Sequence, residues 1–303
     1  VKFRPNTGII QQIHSCYTLY FAISISSFNQ ENPKGVTALL LAVDIGNTNV
    51  VLGIFEGETV KASWRMQTER RRMPDELGLI ITGFLANRGY RPEDITAAVI
   101  SSVVPPLTLA FEEMVERYFG RTALTVEPGI LTGVAVRYEN PKEVGADRIV
   151  NALGALHYYG GPAVVIDFGT ATTFDALSGS GEYLGGAIAP GINIAAEALF
   201  QVASRLFRVE LTPPQQAIGR NTVTSMQSGI MFGYIGLVEG LVNRFKAELT
   251  ALARPGEREE IKVIATGGLG DVVARNTTGL IDVVDQDLTL QGLRLIYELN
   301  QKQ

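Results

Sequence analysis

A single cysteine, Cys16, cannot form an internal disulfide, and with only His14 and His157 as imidazoles the chain has no Cys/His cluster at metal-ligand spacing. A disulfide scaffold and a zinc-stabilised fold are both excluded, and a reducing cytoplasm is the expected compartment. Positive charge is not in excess either: 26 Lys and Arg against 31 Asp and Glu give a net charge of −5. The broad footprint of a nucleic-acid binder is therefore missing, although local anion pockets remain possible. The apolar stretch 17–28 falls short of the roughly 20 residues that span a bilayer, and Ser24, Ser26 and Ser27 interrupt it. Lys2 and Arg4 ahead of it imitate a signal peptide, but no small-residue cleavage site follows. Residues 1–37 thus read as an extension with no legible role, and neither a membrane nor a nucleic-acid partner is expected. The GxxxxGK[ST] loop is also absent, which excludes a P-loop enzyme.

What is present is a globular balance, 46% hydrophobic and 19% charged over 303 residues, long enough for two lobes. An internal repeat supports two. Segment 39–55 reads LLLAVDIGNTNVVLGIF and segment 163–176 reads AVVIDFGTATTFDA, each an apolar run ending in Asp, a Gly-containing polar turn and a second apolar or β-branched run. Asp44 matches Asp167, Gly46 matches Gly169 and Asn47 matches Thr170, at a constant offset of 123. Each half is expected to open with a β-meander. Apolar spacings of three and four predict helices over 75–88, 107–119, 145–159, 192–206 and 225–253, with strands at 97–104 and 262–265 between some of them. Strands mixed with crossover helices imply an α/β fold with a mixed sheet in each lobe and a ligand cleft between the lobes.

A strand that ends in Asp and turns through Gly and short hydroxyl or amide residues gathers backbone N–H groups and side-chain donors at one point, which is a phosphate cradle. Gly46 lets an oxyanion approach the backbone, and Asn47, Thr48 and Asn49 can donate to it. Asp44 repels phosphate, so its use would be to hold Mg²⁺ through water. One such turn is more often an ordinary hairpin. Two matched turns, with a third at 265–270 (ATGGLG), argue more strongly for nucleotide. By residue chemistry alone Asp147 reads as a helix-capping carboxylate, and Arg148 as a substrate contact or an ion-pair partner. Arg70, Arg71 and Arg72 could draw in an anionic ligand but read first as a solvated loop, and Phe200 and Phe207 as core or subunit-interface packing.

The paired turns and the late Gly-Gly turn resemble the superfamily of actin, the heat-shock chaperones and the sugar kinases. Four longer motifs, DIGNTN at 44–49, YENPKEVGADR at 138–148, DFGTATT at 167–173 and GRNTVTSMQSG at 219–229, resemble type III pantothenate kinase, with likeness running over about 39–300. The resemblance implies two lobes, 38–150 with the first phosphate loop and 151–303 with the second and an adenosine turn at Gly267 and Gly268, ATP lying in the cleft. It implies ATP contacts at Asp44, Ile45, Gly46, Asn47, Thr48, Asn49, Val50, Val51 and Thr170. Pantothenate would meet Tyr138, Gly145, Ala146, Asp147, Arg148 and Thr222, with Asp147 as the catalytic base. Asp167 would bind a monovalent cation, K⁺ or NH₄⁺, beside ATP and Mg²⁺, and the enzyme would be a homodimer making 4′-phosphopantothenate for coenzyme A. A kinase of another small hydroxyl substrate, or a nucleotide-binding regulator without turnover, are the competing readings.

Overall fold

One order of strands and helices occurs twice along the chain. The computed structural model describes residues 38–203, 206–256, 258, 260–277 and 279–301; the readings of 1–37, with His14 and Cys16, lie outside these residues. β1 (Leu39–Ile45), β2 (Asn49–Glu56) and β3 (Thr59–Gln67) form an antiparallel meander. The chain crosses through α1 (Pro74–Ala86) to β4 (Ile95–Ser102), parallel to β1, then through α2 (Pro105–Phe119) to the short β5 (Leu124–Thr125). β6 (Ala135–Val136) and α3 (Ala146–Tyr158) follow. The second copy begins with the meander β7 (Ala163–Phe168), β8 (Ala171–Leu177) and β9 (Glu182–Pro190). It crosses through α4 (Ile192–Val202) and α5 (Thr222–Leu252) to β10 (Lys262–Gly267), parallel to β7. α6 (Gly270–Asn276), β11 (Val283–Val284) and α7 (Leu288–Gln301) complete it. The sheet orders are β3-β2-β1-β4-β5 and β11-β10-β7-β8-β9-β6. The first matches the second without β6, so the expected α/β fold of two mixed sheets is present.

Alternation along the strands sorts the core into layers. Leu39, Leu41, Val43 and Ile45 of β1 pack on α1 and α2, whereas Leu40 and Ala42 face a middle layer containing α3 and α7. In β7, Ala163 and Val165 face the same middle layer, and Val164, Ile166 and Phe168 pack towards α5. Full burial of a side chain such as Leu41, Phe111 or Phe174 contributes about 1.5–3 kcal/mol. Two residues beyond Ala42 and Val165, the same parity brings Asp44 and Asp167 to the middle layer at the C-terminal ends of the central strands. α3 and α7, equivalent in the two copies, fill the space between the sheets.

The expected helix over 225–253 starts earlier, at Thr222, because the Asn221 side chain accepts the Thr224 N–H at 2.9 Å and caps it. That over 192–206 ends at Val202. α7 was not anticipated from sequence. Leu288, Leu290, Leu293, Leu295 and Ile296 are all buried, as is Arg294, and their spacing is that of an amphipathic helix, so the signal was present in the sequence.

Candidate active site

Both phosphate-type turns are closed by a glycine N–H: Gly46 donates to the Asn49 carbonyl at 3.0 Å and Gly169 to that of Ala171 at 3.1 Å. The first turn is one residue longer. The offset of 123 at Asp44 and Gly46 therefore drops to 122 from Asn49 onward, correcting the constant offset read from sequence. The residue that meets Thr170 is Thr48 rather than Asn47, the two hydroxyls lying 2.6 Å apart. This contact joins the turns of the two copies. Of the expected ATP loop, Asn47, Thr48 and Asn49 are exposed, Gly46 and Val51 are half-buried, and Ile45 and Val50 point into the core. Thr68, just beyond β3, braces the turn by donating its hydroxyl to the Gly46 carbonyl at 2.7 Å and its N–H to that of Thr48 at 2.9 Å. Arg70 donates to Asn47 Oδ1 at 3.1 Å, so one member of the supposedly solvated basic run supports the cradle. Only the tertiary fold brings these two residues together.

Asp147 occupies the second position of α3, with Gly145 as the N-cap and Ala146 first in the helix. Its Oδ1 accepts the Arg148 N–H at 2.9 Å. A Cβ on Gly145 would stand 2.5 Å from that oxygen, so glycine leaves the carboxylate room to fold back onto the helix end. Burial raises the Asp147 pKa, partly opposed by the Arg148 N–H and guanidinium. Burial also raises Asp44, to about 8, with repulsion from Asp147 and Asp167 adding to it. Asp167 is raised to about 6 by burial and by Asp147, against a hydrogen bond from Asn151. Three carboxylates that each discourage ionisation of another are suited to a cation beside them. Among the described residues no group of three or more His, Cys, Asp or Glu could by itself hold a metal ion. A cation here would complete its shell with nucleotide oxygens and water.

Asn151 was not singled out from sequence. It lies one turn after Asp147 on α3, donates Nδ2 to Asp167 Oδ2 at 3.1 Å and accepts the Thr289 hydroxyl on Oδ1 at 2.7 Å. Its four-residue spacing from Asp147 is the signal that marks it, since such residues share a helix face. Gly267, at φ +86°, passes so close to Asp167 that a Cβ would sit 2.7 Å from Oδ1. The third turn is thereby tied to the same point.

Arg148 is buried and paired: Nε and Nη2 donate to Asp175 Oδ1 at 2.8 and 2.7 Å, and the Tyr183 hydroxyl donates to the same oxygen at 2.8 Å. Burial lifts Asp175 to about 6 in spite of these partners. The ring of Tyr138 stands 6.5 Å from that of Tyr183, joining Tyr138 to this cluster. Thr222 is elsewhere, at the start of α5 on the wall of a cavity of about 780 Å³ that is also lined by Pro190, Ile192, Met226 and Tyr234, but by neither Tyr138 nor Asp147. Near α4 and α5, Ile188, Val202, Phe207 and Ile218 are exposed, so Phe207 is not core packing within one copy.

A family model described as type III pantothenate kinase matches residues 40–244. The type III pantothenate kinase of Myxococcus xanthus (strain DK1622) is 52% identical over 262 residues, 86% of this chain and 99% of that protein. The protein of the same name from Moorella thermoacetica (strain ATCC 39073 / JCM 9320) is 51% identical over 262 residues, 86% of this chain and 100% of its own. Among solved structures, the inorganic polyphosphate/ATP-glucomannokinase from Arthrobacter sp. strain KM shares 14% identity over 88% of this chain and 100% of its own, at a TM-score of 0.42.

Proposed function

Because this chain belongs to the type III pantothenate kinase family, we propose that it transfers the γ-phosphate of ATP to the hydroxyl of pantothenate, giving 4′-phosphopantothenate and ADP in the first step of coenzyme A biosynthesis. The observation that carries this reading onto the site is the contact between Thr48 and Thr170. It sets two N–H-lined turns side by side, next to a carboxylate on a helix end. Backbone N–H groups and amides of Asn47 and Asn49 and the hydroxyls of Thr48 and Thr170 cradle the phosphates, while Gly46, whose own N–H closes the turn, lets an oxyanion come close to the backbone. The pantothenate hydroxyl oxygen attacks the γ-phosphorus, the bond from that phosphorus to the bridging oxygen breaks, and the hydroxyl proton passes to the free oxygen of Asp147. Little covalent assistance is needed beyond that, since orientation and charge screening dominate phosphoryl transfer.

In this reading Asp44 would hold Mg²⁺ through water and Asp167 a monovalent cation, K⁺ or NH₄⁺, and both ions would screen the polyphosphate charge. The Tyr138, Tyr183 and Arg148 cluster forms one wall of the acceptor pocket. Thr222 then serves a pocket shared between two copies of the chain in a homodimer built on the apolar surface around α4 and α5, and sedimentation at twice the monomer mass is the expected result. Among the described residues no helix is long and apolar enough to cross a membrane. ADP release measured with ATP, Mg²⁺ and K⁺ should depend on pantothenate. Release with a different hydroxyl acceptor would replace the substrate, and ATP binding without acceptor-dependent release would replace catalysis with regulation.

A further inference from the structure

We propose that Arg65 is a direct ligand of the nucleotide polyphosphate, a cation supplied by the first sheet to a cradle otherwise made of N–H groups and hydroxyls. This assignment rests on the kinase reading above. Arg65 lies on β3 opposite Val51, beside the strand that leaves the first phosphate turn. The side chain is exposed, yet it does not simply project into solvent: Nη1 stands 3.5 Å from the position a Cβ would take on Gly268, in the third turn of the other copy. It is also close enough to Asp167 for its charge to favour the ionised carboxylate. Arg65 therefore reaches from the first sheet to the Gly267–Gly268 turn and to the end of β7.

Arg65 has no hydrogen bond or ion pair among the described residues, whereas Arg70 is committed to Asn47 and Arg148 to Asp175. A guanidinium carries five donors and no acceptor, and its fork matches pairs of phosphate oxygens. The cleft has the opposite shortage. Asp44, Asp147 and Asp167 give it three carboxylates, and a polyphosphate adds further negative charge. An uncommitted arginine at the junction of the turns meets that need, and the absence of a side chain at Gly268 leaves the guanidinium its space.

The test compares Arg65→Gln and Arg65→Lys with Lys61→Gln, which removes the same charge from an exposed position on the same strand. In Arg65→Gln, kcat/KM for ATP should fall by about 10² to 10³, as for loss of one donor to a developing phosphate charge. Arg65→Lys should recover part of this by keeping the charge without the fork, and Lys61→Gln should match the unmodified chain. Calorimetry without acceptor should show ATP and ADP binding weakened in Arg65→Gln and AMP binding unchanged. The melting temperature should stay put. Unchanged ATP affinity and kcat/KM, equal weakening of ATP and AMP, or a lowered melting temperature would each overturn the assignment. Because nucleotide binding is read without turnover, failure of the unmodified chain to use pantothenate would count against the proposed substrate and not against Arg65.

Discussion

Asp147 sits where a carboxylate is stabilised by helix N–H groups whatever its chemistry, so position alone does not distinguish a cap from a base. Substitution does. Its Oδ1 already accepts the Arg148 N–H, and an asparagine oxygen can accept the same bond, so Asp147→Asn should leave the melting temperature nearly unchanged. Loss of a general base costs about 10² to 10⁴ in rate. An Asn variant that keeps more than about a fifth of kcat would reduce Asp147 to a cap. The sign of the pH dependence follows from burial, which raises this pKa. A base must be ionised, so kcat/KM falls as pH drops through the raised value, and the acid limb should lie above the range of an ordinary carboxylate. A pH–rate profile with its limb at the ordinary position would contradict the assignment. At Asp167, Asn151 donates to Oδ2, and an amide oxygen in Asp167→Asn can accept that bond while the charge is lost. Activity should fall and its response to added K⁺ should flatten; an unaltered K⁺ titration would remove the cation from this residue.

At the scale of elements, α3 is fastened to β8 by Arg148 and Asp175, whose side chains are 8% and 0% exposed. Burial of this kind makes the pair costly to break and much less costly to replace. Asp175→Ala should lose about 3–5 kcal/mol in urea unfolding, because it leaves a buried guanidinium without its partner, while the double variant Arg148→Met with Asp175→Leu should lose clearly less. Equal losses would mean that the charges are solvated and that packing alone holds α3. The helix also explains how the site is assembled. One turn of α3 carries Asp147 and the next carries Asn151, which is held in turn by Thr289 of α7. The two helices that occupy equivalent places in the repeat thus meet at the carboxylate of β7.

Over the whole molecule, the three apolar clusters draw on residues from Leu39 to Ile296, and the matched relatives align over 262 residues of this chain. A chain beginning at Ala38 should therefore keep its melting temperature and its acceptor-dependent ADP release. Loss of soluble, active protein on this truncation would show that residues 1–37 contribute to the fold.

The repeat, the α/β class, the phosphate-type turns and the family motifs were legible from local sequence, because strand alternation, helix spacing and Gly-containing turns are properties of neighbouring residues. Asp44, Asp147 and Asp167 stood out as candidates for the same reason, each lying within a motif. Local patterns could not reveal the dropped residue between the two turns, which emerged only when Thr48 met Thr170 across the repeat. Nor could they reveal the roles of Asn151 and Arg70, whose partners are 16 and 23 residues away, whereas α7, with its amphipathic spacing, could have been read and was missed. The types and order of the chemical groups were written in the sequence. Which oxygen faces which, and which charges are buried together, was decided by the packing of the two sheets against α3 and α7, since separations of a few ångströms between distant residues exist only once that core has formed.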